Sequence, residues 1–181
     1  GSIATATGGA YAMPFMLVIA SLATLMICRH CAEALQGMAI YAAEFVGTFV
    51  LVFTVGCCVL AGSPMLNPVA IASVLMAMIY ATGPVSGGHL NPAVSFALGV
   101  AGKAPWSTVL RYWVCQLCGG ICAATCYCTI FAPKTAAIAP VAPYTWYHAG
   151  LAEVIYTGML CFVVLNCAAS KRNNAANDGN Q

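Results

Sequence analysis

The chain contains very few charged residues. Six Lys and Arg residues and four Asp and Glu residues occur among 181, so charged residues make up 6% of the sequence. Soluble domains typically carry about 25%, and no soluble fold of this size has enough interior for a sequence that is 62% hydrophobic. The net charge of +2 does not favour a nucleic-acid partner. The composition therefore excludes a soluble domain and predicts an all-α protein that crosses the lipid bilayer several times.

The sequence also lacks the residue groupings that carry chemistry. No nucleophile–base pair, carboxylate pair or phosphate-binding loop stands out, and most of the 11 cysteines lie in apolar runs, where thiols pack as small hydrophobic groups. Four of them share one face of a predicted helix, namely Cys115, Cys118, Cys122 and Cys126. Four sulfurs along one helix cannot surround a metal ion. We therefore predict that the protein is not an enzyme and has no metal site, no cofactor and no disulfide scaffold.

Apolar runs long enough to cross a membrane recur along the chain. A spanning helix needs about 20 apolar residues, and five runs approach or exceed that length: 11–28, 38–61, 67–83, 106–131 and 148–170. A signal or anchor segment is the alternative for the first run, but Arg29 and His30 follow it instead of preceding it, which favours a retained helix. Five spans place every Lys and Arg except Lys134 on one side of the membrane, which predicts an outer N-terminus and an inner C-terminus.

The segment 86–93, SGGHLNPA, interrupts the apolar material between the third and fourth of these runs. Asn91 followed by Pro92 and Ala93 predicts a helix start, because Asn is a good N-cap and Pro suits the first helical position. Gly99 and the glycine that follows it limit this helix to 91–100, which is about 14 Å or half a membrane. The segment therefore predicts a re-entrant loop and a half-helix whose partly positive N-terminus points at the membrane centre.

Such a loop offers hydrogen-bonding groups at membrane depth. Irregular backbone is tolerated there only where it is buried in protein or lines a wet cavity. The carbonyl oxygens of Gly87, Gly88 and His89 would be acceptors, and the side-chain amide of Asn91 would be a donor. This combination is suited to passing a neutral hydrogen-bonding solute while repelling cations and protons.

The sequence contains an internal repeat. Residues 43–58 and 152–167 are identical at seven of sixteen ungapped positions, among them Glu44 and Glu153, each followed four residues later by Thr. Glutamate is rare inside membranes, so chance similarity of apolar residues explains this match poorly. Three spans separate the two copies, and an odd number of spans inverts the second copy relative to the first, as in many channels and transporters.

The string GGHLNPAVS at 87–95 closely resembles the first signature loop of the major intrinsic proteins, the aquaporins and glycerol facilitators. The resemblance covers roughly residues 38–172, because AEFVGTFVLVF is similar to the first helix of the family, VLRYWVCQLCGG to the third and AEVIYTGMLCFVV to the fourth. It implies a partial aquaporin-like fold over 37–172 with four spans and the half-helix. Residues 1–36 would add an extra transmembrane helix, and residues 173–181 a polar tail.

The resemblance implies roles for the matching residues. Asn91 would donate to the permeating solute at the pore centre, and the three carbonyls before it would accept. Glu44 would brace the re-entrant loop by accepting hydrogen bonds from its backbone N–H groups. Ile71 stands where the family usually has an aromatic residue at the constriction, which implies a wider or non-standard filter.

The family carries a second signature loop and a filter arginine after its fourth helix, and the sequence up to Gln181 contains neither. Asn67-Pro68 begins a run of spanning length, so we interpret it as a helix cap and not as that loop. The counterpart of Glu153 braces the second loop. Glu153 is therefore expected to find its partner on another chain or segment, unless it is protonated or reaches water near the helix end.

Two hypotheses for function follow. In the first, the protein is an aquaporin-like channel for water or small neutral solutes, and the second half of the pore is absent from this chain. In the alternative, it is a non-conducting structural or accessory subunit of a larger membrane complex, such as an energy-converting complex of an organelle. Both hypotheses predict the lipid bilayer and other membrane-protein chains as partners, in a homo-oligomer or a larger complex.

Overall fold

The computed structural model describes residues 36–61, 65–134 and 139–170. These residues form five helices and no strand: α1 (Gln36–Ala61), α2 (Asn67–Ser86), α3 (Pro92–Val100), α4 (Trp106–Ile130) and α5 (Trp146–Cys167). All except the nine-residue α3 are long and apolar enough to cross a membrane. This confirms the predicted fold class, an all-α membrane protein of partial aquaporin-like architecture with one short half-helix.

The helix boundaries differ slightly from those expected. α2 continues past residue 83 to Ser86, and α5 begins at Trp146 and ends at Cys167 instead of spanning 148–170. Asn67 begins a spanning helix, but it does not cap it: Leu66 occupies the N-cap position, and the Asn67 side chain donates to the Cys58 carbonyl at the end of α1, at 2.9 Å. The predicted helix at 11–28 and the predicted tail at 173–181 lie outside the described residues.

Helices α1 and α4 run parallel and in close contact. Tyr41 packs edge-on against Tyr112 near their N-terminal ends, with ring centroids 6.1 Å apart, and Gly56 lies against Tyr127 near their C-terminal ends. Midway between these contacts, Gly119 is buried against the backbone of α1 at Phe45 and Phe49. Small residues permit such contacts between membrane helices, where packing drives association.

Replacing Gly119 by alanine is expected to destabilise the protein by about 1–3 kcal/mol, because the new Cβ would overpack this contact. That Cβ would lie 2.5 Å from the backbone carbonyl oxygen of Phe45, so the two helices must separate. Gly120→Ala is the matched control, since a Cβ at the neighbouring position meets Val52 at an ordinary 3.9 Å. Thermal unfolding of the purified protein in detergent measures both variants, and equal midpoints would contradict the prediction.

Helix α5 contacts the other helices along one narrow stripe. Its partly buried residues Leu160, Cys161, Val164 and Leu165 pack against a buried cluster formed by Val94, Leu98, Ala104, Val109 and Ala169. No residue of α5 itself is buried. The rest of its surface carries exposed apolar side chains, among them Val154, Ile155, Tyr156, Met159 and Phe162.

Candidate functional site

The segment between α2 and α3 turns sharply back into the helix bundle. Gly87 and Gly88 have φ angles of 88° and 65°, in the left-handed region that favours glycine. Leu90 also has a positive φ, 51°, although it is not glycine. A left-handed leucine is strained and persists only where its surroundings hold it. Its side chain is 1% exposed and packs against Gly47, and its carbonyl accepts a hydrogen bond from Thr48, at 3.2 Å.

The fully buried carboxylate of Glu44 holds this segment from α1. Oε1 accepts from the His89 N–H at 3.0 Å and Oε2 from the Leu90 N–H at 2.8 Å. The Ser86 hydroxyl donates to Oε1 at 2.6 Å, and the Gln116 amide of α4 donates to Oε2 at 2.7 Å. Four donors from three parts of the chain therefore converge on one side chain, which compensates the cost of burying a polar group in an apolar bundle.

A second layer of polar contacts ties the segment to α3 and α4. The Gln116 amide also donates to Ser95 at 3.0 Å, and His89 Nδ1 lies 3.0 Å from the same hydroxyl. The Tyr112 hydroxyl donates to the Ser86 carbonyl at 2.7 Å, and its ring packs edge-on against His89. The side chain of His89 is thus engaged within the protein, so its backbone carbonyl is the group that it can offer to a solute.

Asn91 caps α3 in the manner expected of a helix start. Its backbone is extended, and its side-chain oxygen accepts from the Ala93 N–H at 2.8 Å. Pro92 occupies the first helical turn, and the helix ends at Val100, just before Gly102, which has a φ of 67°. Because the amide oxygen is used by the cap, the Nδ2 group of Asn91 is left to donate. No described residue accepts a hydrogen bond from it.

The loop reaches the middle of the bundle. Thr48, which donates to the Leu90 carbonyl, lies midway along α1 (Gln36–Ala61). Within the described part of the chain, no group donates to the carbonyl oxygens of Gly87, Gly88 or His89. The segment therefore brings one free donor and three free acceptors to the depth of the helix midpoint. A row of such groups can replace the hydration of a small polar solute.

Two of the predicted site residues lie away from this cluster. Ile71 is half-buried near the start of α2, 15 residues or about 22 Å along the helix from Ser86. Glu153 is exposed on α5 and forms no hydrogen bond or ion pair with any described residue. The two glutamates that occupy matching positions of the repeat thus have opposite surroundings.

Several residues that hold the site together were not predicted from the sequence: Thr48, Ser86, Ser95, Tyr112, Trp113 and Gln116. One signal was available, because Tyr112 and Gln116 are four residues apart and so share one face of an otherwise apolar helix. The two serines flank the loop by a few residues on either side. What the sequence could not show is that Ser86 and Gln116, which are 42 and 72 residues from Glu44, both donate to its carboxylate.

The chain is similar to known membrane channel proteins. The family model described as "Major intrinsic protein" matches residues 12–180. Aquaporin NIP2-1 of Oryza sativa subsp. japonica is 36% identical over 138 residues, which cover 71% of this chain and 46% of that protein. Aquaporin Z of Brucella melitensis biotype 1 is 35% identical over 147 residues, which cover 71% of this chain and 64% of that protein. The chain spans about half to two thirds of the length of these curated relatives.

Proposed function

The chain belongs to the major intrinsic protein family, and on this basis we propose that it forms one half of a membrane channel for water or small neutral solutes. Members of this family are channels and not enzymes. The observation that carries the proposal is the loop of residues 87–91, whose free donor and acceptors lie at the midpoint of the bundle. The carboxylate of Glu44 fixes this loop by accepting hydrogen bonds from its backbone N–H groups.

In this channel the solute passes along the exposed edge of the loop. It accepts a hydrogen bond from Nδ2 of Asn91 and donates in turn to the carbonyls of Gly87, Gly88 and His89. The N-terminus of α3 carries a partial positive charge at the same depth. That charge opposes the passage of cations and protons, so the path favours neutral solutes. Ile71 lines the outer part of the path, where a residue without an aromatic ring leaves a wider constriction.

The second wall of the pore is contributed by another segment or another chain. Glu153 is exposed, and a carboxylate at membrane depth is costly without hydrogen-bond donors. By the symmetry of the repeat, we propose that it braces a second loop just as Glu44 braces the first. The exposed apolar surface of α5 is where this second half packs.

The same observation supports a second candidate function. Because no residue of α5 is buried, α5 is suited to permanent contact with other membrane proteins. A protein that kept the fold of the family but lost conduction would serve as a structural subunit of a larger membrane complex, in an organelle or elsewhere. The two candidates differ in whether the loop of residues 87–91 is reached by a solute.

Osmotic measurements on vesicles test the proposal. The full-length protein, extracted with its associated chains from its own membrane and reconstituted, is expected to speed vesicle swelling several-fold over empty vesicles. Swelling at the rate of empty vesicles, with co-migration of the protein in a larger complex after mild detergent extraction, would contradict the channel and support the subunit. The intact mass of the native polypeptide then shows whether the second half lies on the same chain.

A further inference from the structure

The first turn of α3 receives hydrogen bonds from outside the helix. The indole N–H of Trp113 in α4 donates to the carbonyl of Pro92 at 2.9 Å. The thiol of Cys161 in α5 lies 3.6 Å from the carbonyl of Ala93, which is a weaker contact. Backbone carbonyls at the start of a helix normally accept from the helix alone, so a second donor restrains how this turn can rotate and shift.

This restraint acts immediately after Asn91. Upstream, the backbone N–H groups of His89 and Leu90 are held from α1 by Glu44. Between the two anchors lies the strained, left-handed Leu90. A strained turn keeps its conformation only when it is held on both sides. Glu44 holds the upstream side of the turn. On the downstream side, Thr48 holds the carbonyl of Leu90 itself, and Trp113 holds the carbonyl of Pro92, at the start of α3.

The ring of Trp113 also packs against α3. It is partly buried and stacks on Phe96 one helical turn further along α3, with ring centroids 6.4 Å apart. Trp106 also packs edge-on against Phe96, with ring centroids 5.8 Å apart. The two tryptophans therefore share an apolar neighbour, but of the two only Trp113 donates a hydrogen bond to α3.

We propose that Trp113 is a positioning residue for the pore, one that fixes the place of the Asn91 amide by holding the Pro92 carbonyl. This inference rests on the proposed channel function and adds a determinant on α4 that acts through hydrogen bonding and not through contact with the solute. It predicts that loss of the indole N–H loosens the first turn of α3 and changes which solutes the Asn91 amide accommodates.

The test compares Trp113→Phe with Trp106→Phe. The first removes the N–H while keeping an aromatic ring against Phe96, and the second alters the same aromatic group without touching the bond to Pro92. Two measurements on the reconstituted full-length protein are made for each variant. One is hydrogen–deuterium exchange of the amides within 91–98, and the other is the ratio of water to glycerol permeability.

Trp113→Phe is expected to speed exchange in this segment about tenfold and to change the permeability ratio at least threefold, while Trp106→Phe leaves both near the wild-type values. A loss of folded protein would lower both permeabilities equally and leave their ratio unchanged. Identical exchange and identical ratios in the two variants would overturn the proposal. If the wild-type protein conducts neither solute, the channel function fails, and the exchange measurement alone decides whether Trp113 holds the turn.

Discussion

Replacing Glu44 by alanine is expected to lower the free energy of unfolding by about 3–4 kcal/mol. Four donors bond the Glu44 carboxylate, and each buried donor left unpaired costs about 1 kcal/mol or more. Removal of the carboxylate also removes the free-energy cost of burying it. The expected loss of stability is therefore no larger than the minimum of about 4 kcal/mol for four unpaired donors. For a chain of this length, the change corresponds to a fall of about 10 °C in the unfolding midpoint.

Glu153→Ala is the matched control, because this glutamate occupies the corresponding position of the repeat yet is exposed. In the isolated chain its replacement is expected to change stability by less than about 0.5 kcal/mol. Thermal unfolding of both variants in the same detergent makes the comparison. Equal midpoints would show that the buried carboxylate does not hold the loop. In the assembled pore, by contrast, Glu153→Ala is expected to be destabilising.

Replacing Asn91 by aspartate is expected to reduce water permeability about tenfold while leaving the fold intact. Aspartate caps a helix as well as asparagine does, so α3 keeps its start. The substitution exchanges the free N–H donor for a carboxylate oxygen and places a negative charge at the N-terminus of the half-helix. That charge cancels the positive potential which opposes cations. The measurement is the osmotic swelling rate of vesicles, normalised to the amount of folded protein.

Asn67→Asp provides the control for this variant. Asn67 is also followed by proline and also begins a helix, but its side chain bonds the Cys58 carbonyl at the far end of α1. Its replacement is expected to cost some stability and to leave permeability per folded protein near the wild-type value. If vesicles that contain either variant swell at the same rate, Asn91 does not line the solute path, and the structural-subunit function gains support.

The sequence alone determined the membrane fold and the positions of the four spanning helices within the described residues. Apolar runs of spanning length must be helical in a bilayer, because every backbone polar group has to be satisfied within the segment. The start of α3 was equally local, since it depends on one asparagine followed by one proline. Predictions of this kind succeed because the interactions that decide them join residues a few positions apart.

Tertiary structure alone decided which polar residues are engaged. Asn67 and Asn91 have the same local pattern, yet one bonds a neighbouring helix and the other caps its own. Glu44 and Glu153 match within the repeat, yet one is buried among four donors and the other is exposed. The bonds that hold Glu44 join residues that are far apart in the sequence, such as Glu44 and Gln116, 72 positions apart. Such pairs meet only where α1 and α4 pack together, so no rule based on neighbouring residues can identify them.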